Sequence, residues 1–420
     1  MKRIIFVGGG IVSCVSALKL LESGNHVTIY ERHDKLGGIL RDFNTNGNFF
    51  FRGCKYLNVK NNWFNKFYKN FFQSLNIFDH DYGVYVENNK NIFFSDKYAI
   101  PLFKKINLKE LIQNTKKFNF DKVETISDRF NFYPKKIKIF LENIILKHRL
   151  SPDKLNQISV SSFQMSRIAS LGNYEKIYKL KKNFFLIDNI LALNRSKLYK
   201  SKLKAILPKN GYDELFNNIK KKLISKGAKV ELNSRLTLNW KKKKLKLFNQ
   251  GTEIKNDLII WTGDPTEVVK SFNGENLESL NYKVVQFNAN IISSKNFKTI
   301  YIQVFSDSLN IVRISLYKIN NIEKISIETI FESYSDSHFF FDKALKILEK
   351  FNISVVLDIS SFSKKLDLRF NVISQNDYKT LKKFNHDARG SNLISKFWLQ
   401  YGIDNKINSV LKDLKIKNYL

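Results

Sequence analysis

The chain has 420 residues, of which 43 % are hydrophobic and 14 % aromatic, so it can bury more than one core. Two cysteines, Cys14 and Cys54, are too few for a disulfide framework, and scattered histidines without a CxxC pair predict no metal site. The formal net charge is +33, so the protein is strongly basic. Such a charge would attract anionic ligands, nucleic acid or anionic membranes.

The lysines are spread along the chain, which favours a general compositional bias over a dedicated basic tail. The apolar runs fall short of the roughly 20 residues that a membrane-spanning helix needs. The N-terminus enters an apolar strand pattern directly, without the features of a signal peptide. We therefore expect a cytoplasmic, soluble protein.

A glycine-rich turn between a strand and a helix organises the N-terminal part of the sequence. The apolar run Ile4–Val7 predicts a buried strand, Gly8–Gly10 follow it directly, and Ile11–Leu21 have a helical pattern. A second short strand then ends at Glu31. This order of strand, tight turn, helix, strand and acid is the one that a dinucleotide site requires.

Each position of this turn has a physical reason. Gly8 allows the chain to leave the strand sharply, and the missing side chain of Gly10 allows a pyrophosphate to approach the backbone. The helix that begins there would direct its free N–H groups at the phosphate. Ser13 stands where a third glycine is usual, and Glu31 lies near the spacing of roughly 20 residues expected for a ribose-binding acid. The alternative is an ordinary βα turn without a ligand.

The later segments predict a mixed architecture. Residues 105–204 have helical spacing and few turn signals, which predicts an inserted helical domain. A helix after Gly211 ends at Gly227, and a short strand and a hairpin follow. Residues 275–375 alternate apolar and polar residues in several segments, which predicts strands of a second sheet.

The N-terminal motifs resemble those of one group of flavoproteins. The glycine turn with Glu31, the pair Gly37-Gly38 with Arg41, and a hairpin that ends at Gly53 look like the start of the amine-oxidase, protoporphyrinogen-oxidase and UDP-galactopyranose-mutase group. Lys55 departs from this pattern, because mutases carry a histidine in that loop.

Two later blocks resemble the same group. A turn at Pro208, a helix, a strand at Lys229-Val230 and a buried strand before Thr262 occur there in this order. The aromatic run from Phe397 to Tyr401, with a helix after it, is closer to the mutase-like branch than to the amine oxidases.

The resemblance implies an α/β fold with a discontinuous, Rossmann-like FAD-binding domain formed by residues 1–75, 205–272 and 385–420. Residues 76–104 and 273–384 would form a substrate-binding, mostly antiparallel sheet, and residues 105–204 the helical insert. FAD is the implied cofactor. The implied cofactor-binding residues are Gly8, Gly10, Ile11, Ser13, Glu31, Arg32, Gly37, Gly38, Ile39, Arg41, Gly53, Lys55, Tyr56, Leu57, Val230, Thr262, Gly402, Asp404 and Ile407.

Three residues are predicted to bind the substrate. Arg313 would correspond to a strand arginine that grips a substrate diphosphate in mutase-like members, with a solvent-facing arginine as the alternative. Arg167 in the insert is either an anion clamp or a surface residue. Tyr401 belongs to the aromatic run before the last helix.

Three functions stay open at this point. The first is an FAD-dependent oxidoreductase that acts on a small polar or anionic substrate, with the flavin performing the chemistry. The second is a sugar-nucleotide mutase, a non-redox isomerase that requires reduced FAD. The third is a basic flavoprotein that binds nucleic acid or a membrane surface, which the net charge of +33 allows.

Overall fold

A computed structural model describes most of the chain. The described residues are 1–45, 47–53, 56–58, 67, 69–79, 81–88, 91–95, 119, 122–133, 135–161, 182–183, 204–278, 281–306, 308–330, 337–400 and 402–420. Lys55, Arg167, Tyr401 and most of the predicted helical insert lie outside these residues.

The strands of the described residues fall into two large sheets and three small ones. They are β1 (Arg3–Val7), β2 (His26–Tyr30), β3 (Phe43–Thr45), β4 (Asn48–Phe50), β5 (Leu57–Asn58), β6 (Leu75–Asp79), β7 (Asp81–Asn88), β8 (Asn91–Ser95), β9 (Lys204–Pro208), β10 (Lys229–Glu231), β11 (Thr237–Lys241), β12 (Lys244–Asn249), β13 (Thr252–Ile254), β14 (Leu258–Trp261), β15 (Asn281–Lys295), β16 (Ile300–Ser306), β17 (Ile311–Ile319), β18 (Ile322–Ile330), β19 (Ser354–Asn371) and β20 (Leu393–Ile394).

The helices of the same residues connect and cover these sheets. They are α1 (Ile11–Glu22), α2 (Ile126–Phe130), α3 (Lys135–Leu146), α4 (Tyr212–Ser225), α5 (Thr266–Asn273), α6 (Ser337–Glu349), α7 (Gln375–Asp387) and α8 (Ile403–Ile416), with short 3₁₀ helices at Gly38–Leu40, Phe72–Ser74, Gln157–Ser161 and Lys396–Leu399.

A five-stranded sheet forms one half of the fold, here called the parallel-sheet half. Its strand order is β10-β2-β1-β14-β20, and every pairing in it is parallel. The central strands are apolar on both faces because helices cover both, and Ile4, Phe6 and Ile260 are fully buried. Parallel strands end at the same edge, so the glycine turn after β1 and the turn after β14 lie together.

A seven-stranded sheet forms the second half, in the order β19-β15-β18-β17-β16-β7-β8. All pairings are antiparallel except that of β16 with β7. One face is apolar and packs against α6, where Phe287 stacks on Phe340 with their ring centroids 5.0 Å apart. The opposite face carries buried polar side chains and contacts the parallel-sheet half through Tyr317 and Ile319.

The three small sheets complete the framework. They are β11-β12-β13, β3-β4 and β5-β9-β6. The prediction of an α/β fold with a Rossmann-like domain and a second, mostly antiparallel sheet is confirmed. Across the described residues, every helix is too short or too polar to cross a bilayer.

Asp42 connects the Gly37–Leu40 loop to the start of α4. Its Oδ2 accepts a hydrogen bond from the backbone N–H of Asp213 at 3.0 Å, and its own N–H donates to Asp213 Oδ1 at 3.1 Å. Gly211 leaves room for this carboxylate, since a Cβ there would lie 2.3 Å from Asp42 Oδ2. Burial raises the pKa of Asp42 to about 7, and Asp213 beside it adds to the increase.

The raised pKa predicts a specific pH dependence of stability. In the unfolded chain Asp42 loses its proton near pH ~4, whereas in the folded protein it keeps the proton until about pH 7. Folding therefore binds a proton between these values, and the stability from this group is lost as the pH rises towards 7. Asp42→Asn keeps an oxygen acceptor for α4 and removes the titration.

Urea unfolding of wild type and Asp42→Asn at several pH values measures this effect. The difference in unfolding free energy should change by about 1.4 kcal/mol per pH unit between pH ~4 and ~7, in favour of the variant. Above that range it should be constant. A difference independent of pH would show that Asp42 is ionised in the folded protein.

Candidate functional site

The glycine turn after β1 is built tightly at its first two positions. Gly8 has a φ of 105° and donates its N–H to Tyr30 O at 2.8 Å, which holds the turn against β2. A Cβ on Gly8 would lie 2.7 Å from Thr262 Oγ1, and one on Gly9 would lie 2.4 Å from Leu36 Cδ2. Side chains are therefore excluded at both positions by the protein itself.

Gly10 differs from its neighbours, because a Cβ there would meet nothing within 4 Å. It is the N-cap residue of α1, with φ −73° and ψ 174°, a backbone conformation open to any residue. No side chain caps α1, and its first turn contains no acidic residue. The free N–H groups of α1 thus open onto space beside Gly10, as at helix N-termini that bind phosphate.

The Gly37–Leu40 loop packs beside this turn. Gly37 donates its N–H to Gly9 O at 2.8 Å, and a Cβ on Gly38 would lie 3.4 Å from Gly10 Cα. Ile39 is 62 % exposed. Arg41 folds back over the loop, donating from Nε to Gly38 O at 3.3 Å, so these predicted cofactor ligands surround one crevice.

Glu31 lies at the carboxyl end of β2 and is only 5 % exposed. Its carboxylate accepts hydrogen bonds from Gly9 N at 2.6 Å and from His33 N at 3.0 Å. β10 continues the sheet beyond it, since Glu31 N donates to Glu231 O at 2.9 Å, which places Val230 close by. Arg32 is exposed and contacts the ring of His33 instead.

Ser13 and Thr262 join α1 to the end of β14. Their hydroxyl oxygens are 2.7 Å apart, and Thr262 Oγ1 also lies 3.2 Å from Val7 O and from Gly8 O. Ser13 is fully buried, as is Ile407 on the neighbouring helix α8, while Ile11 is nearly so. These side chains therefore pack inside the protein and do not face the open space at Gly10.

Helix α8 begins at the same edge of the sheet. Trp398 Nε1, just before the helix, donates to Trp261 O at 2.8 Å and so fixes this segment to the end of β14. Gly402 is the N-cap residue with a φ of 83°, no side chain caps the helix, and Asp404 lies in its first turn. Both α1 and α8 therefore direct their N-termini to the carboxyl edge of the sheet.

Gln286 clamps the segment after the β3–β4 hairpin onto the seven-stranded sheet. Its Oε1 accepts from Gly53 N at 2.9 Å, and its Nε2 donates to Phe51 O at 2.8 Å. Its amide also reaches Asn288 Oδ1 and Ser326 Oγ on the polar face of the sheet. This residue was not predicted from the sequence, where a glutamine in an alternating strand pattern is indistinguishable from a solvent-facing one.

Arg313 also lies on this polar face and is 5 % exposed, so the alternative of a solvent-facing arginine is wrong. It forms an ion pair with the equally buried Glu328, with NH1 to Oε2 at 3.1 Å. Its guanidinium lies 4.6 Å from the ring centroid of Tyr301, and that ring is 6.2 Å from the ring of Tyr56. Tyr301 thus contacts both Arg313, which is predicted to bind the substrate, and Tyr56, which is predicted to lie beside the flavin.

The polar face continues to Lys324, which is nearly fully buried. Its ammonium donates to Asn290 Oδ1 at 2.5 Å and lies 4.6 Å from the centroid of the Phe50 ring. Burial lowers its pKa to about 8. Leu57, by contrast, is buried in the core of the parallel-sheet half and pairs with Ile206 of β9. Within the described part of the chain, no three metal-ligating side chains come together.

The Gln286 clamp gives a testable expectation for stability. Gln286→Leu keeps the volume and leaves Gly53 N and Phe51 O buried without their partner, which should cost about 2–4 kcal/mol of unfolding free energy. Gln303→Leu on the same face is the control, because Gln303 is buried and, among the described residues, accepts from a side chain, the Tyr301 hydroxyl at 3.0 Å. If denaturant unfolding shows that both variants lose the same unfolding free energy, the backbone hydrogen bonds of Gln286 do not have the proposed role.

Comparison with known proteins agrees with this geometry. A family model of the NAD(P)-binding Rossmann-like domain matches residues 7–75, and one of UDP-galactopyranose mutase matches residues 179–344. No significant match is found among curated protein sequences.

Solved structures share the whole architecture at low sequence identity. Reduced UDP-galactopyranose mutase has a TM-score of 0.68 at 14 % identity, covering 99 % of this chain and 96 % of that one. A protein of Exiguobacterium sp. 255-15 assigned as a protoporphyrinogen oxidase gives 0.62 at 11 %, covering 99 % of both chains. Putrescine oxidase bound to putrescine gives 0.59 at 11 %, again with 99 % of both. The predicted resemblance is thereby confirmed, and the chain has the fold of the amine-oxidase, protoporphyrinogen-oxidase and UDP-galactopyranose-mutase flavoproteins.

Proposed function

We propose that this protein is an FAD-dependent enzyme that acts on a polar, anionic substrate of the nucleotide-sugar class. The observation that carries the proposal is the uncapped N-terminus of α1, which opens onto free space at Gly10 beside the buried Glu31 carboxylate. A pyrophosphate fits the helix end, and a ribose hydroxyl fits an acid at the end of β2.

The residues present suit FAD along its whole length. Gly8, Gly10 and the Gly37-Gly38 loop would hold the pyrophosphate region, and Glu31 with the backbone of Val230 would hold the adenosine end. The segment around Gly53 and Tyr56 and the start of α8 would receive the ring system. Bound FAD would supply the redox or nucleophilic centre, while the protein orients the substrate and excludes water.

The polar face of the seven-stranded sheet supports a hydroxyl-rich, charged substrate. Gln286, Ser326 and the Arg313–Glu328 pair are buried there, on the side that contacts the parallel-sheet half. Burying such groups costs free energy unless each is hydrogen-bonded, so an apolar amine would gain little from this surface. Arg313 would keep its ion pair with Glu328 and bind a diphosphate through other N–H groups of its guanidinium, since breaking the buried pair would leave the carboxylate uncompensated.

Two reactions suit this site, and the comparisons favour one. The mutase family model covers the region that contains Arg313, and the mutase structure has a higher TM-score than the two oxidases described above. A non-redox, sugar-nucleotide mutase reaction is therefore the first candidate. An oxidoreductase acting on a similar substrate is the second, because oxidases share this fold.

Gly10→Ala tests whether FAD occupies the crevice. The added methyl group meets no protein atom within 4 Å, so the FAD-free protein should lose only about 1 kcal/mol, the cost of a poorer N-cap. The same methyl group would lie where the pyrophosphate approaches the backbone, so FAD affinity should fall at least ~10-fold, or about 1.4 kcal/mol.

Fluorescence titration of the FAD-free proteins with FAD measures the affinity, and urea unfolding measures the stability. Ser23→Ala at the opposite end of α1 is the control and should bind FAD like wild type. If Gly10→Ala also binds FAD with wild-type affinity, the nucleotide lies elsewhere and the proposed cofactor site is wrong.

The reaction type is tested by turnover with and without dithionite. The FAD-loaded protein is incubated with UDP-galactopyranose and related nucleotide sugars, and products are separated by chromatography. A mutase should give an isomer of unchanged mass only when the flavin is reduced, without consuming oxidant. Oxidised product together with flavin bleaching would instead assign an oxidoreductase.

A further inference from the structure

The edge at which the parallel strands begin lies opposite the glycine turn and collects positive charge. Asn392, just before β20, exchanges hydrogen bonds with the backbone of Leu245, with distances of 2.8 and 2.9 Å, and donates to Asn256 Oδ1 at 2.8 Å. Lys417 Nζ donates to Ser391 O at 3.2 Å. These contacts hold together β12, the segments before β14 and β20, and the end of α8. The cations on or beside these segments are exposed or half-buried, and we call them the basic edge: Lys241–Lys244, Lys255, Arg389 and Lys417.

The charge of the basic edge is not neutralised within the described part of the chain. All its side chains are exposed except that of Lys417, which is half-buried, and none forms an ion pair there. The neighbouring carboxylates are already engaged, Asp257 with Arg3 and Glu253 with Lys246. The folded protein therefore has unneutralised positive charge at this edge.

Four of these lysines, Lys241–Lys244, lie at the tip of the β11–β12 hairpin, where the backbone of two of them is strained. Lys242 and Lys243 have φ values of 47° and 60°, the left-handed conformation of a two-residue hairpin turn. Asn-Gly is strongly preferred there, because side chains with a Cβ are strained at positive φ. Both lysines are exposed, so packing does not explain their presence.

We propose that the basic edge docks onto an anionic lipid surface. Clusters of four to eight lysines and arginines bind anionic headgroups, each contributing through its charge. Ile416, 64 % exposed, lies between Lys415 and Lys417 and would enter the headgroup region, where apolar and anionic groups meet. The edge carries the charge pattern and the apolar residue that such a surface requires.

A nucleic acid fits this edge less well. Single strands bind through exposed aromatic rings on which bases stack. The rings near the basic edge are engaged: the Lys2 ammonium lies over Tyr419 at 4.9 Å, and Trp240 packs on Phe272 with centroids 4.8 Å apart. Docking on a bilayer would also leave the opposite edge, with Gly8–Gly10, open to a water-soluble substrate.

Co-sedimentation of the full chain with vesicles tests the proposal. Vesicles of phosphatidylcholine alone and of phosphatidylcholine with phosphatidylglycerol are compared at low and at ~0.15 M salt. Binding should require the anionic lipid and weaken with salt. Lys242→Asn together with Lys243→Gly should weaken it about tenfold or more, since each lysine near the surface contributes to the affinity.

The same double variant should fold at least as stably as wild type, because Asn-Gly suits the turn. This separates lost docking from lost structure. Lys346→Gln with Lys350→Gln removes the same charge from the end of α6, and it should bind vesicles like wild type. Equal losses in both variants, no preference for anionic lipid, or tighter binding to DNA than to vesicles at the same salt would each overturn the proposal.

Discussion

The hydrogen bond from Gly9 N to the Glu31 carboxylate fixes the geometry on which the rest of the site depends. At 2.6 Å and buried, it ties the turn after β1 to the end of β2. A charge-assisted bond in this setting is strong, because the carboxylate is buried. With Gly8 held against Thr262 and Gly37 against Gly9, the turn has a single arrangement, and the free end of α1 faces the open space at Gly10.

The geometry of this turn can be expected from the sequence, since each residue there has a local steric or electrostatic reason. A glycine between a strand and a helix, and an acid at the tip of the next strand, can be recognised without knowing the rest of the fold. The same holds for the start of α8, where Gly402 and the aromatic run before it mark a turn. Ser13 shows the limit, because its position in the motif does not reveal that its hydroxyl faces Thr262.

The polar face of the seven-stranded sheet is where sequence reasoning fails. Gln286 and Glu328 look like solvent-facing residues of alternating strands, yet both are buried because a second half of the molecule covers that face. Gly53, the partner of Gln286, is far away in the sequence, and Arg313, the partner of Glu328, lies on another strand. No local sequence pattern therefore connects either pair. The turn at Lys242–Lys243 also gives no signal, because it lacks the asparagine and glycine by which such turns are recognised.

A crystal structure of the protein with FAD tests the central claim most directly. The account predicts the pyrophosphate beside Gly10 at the N-terminus of α1, a ribose hydroxyl on Glu31, and the ring system between the start of α8 and the face that carries Gln286 and Arg313. A crevice that remains empty at saturating FAD, or a nucleotide bound at any other edge of the five-stranded sheet, would contradict it.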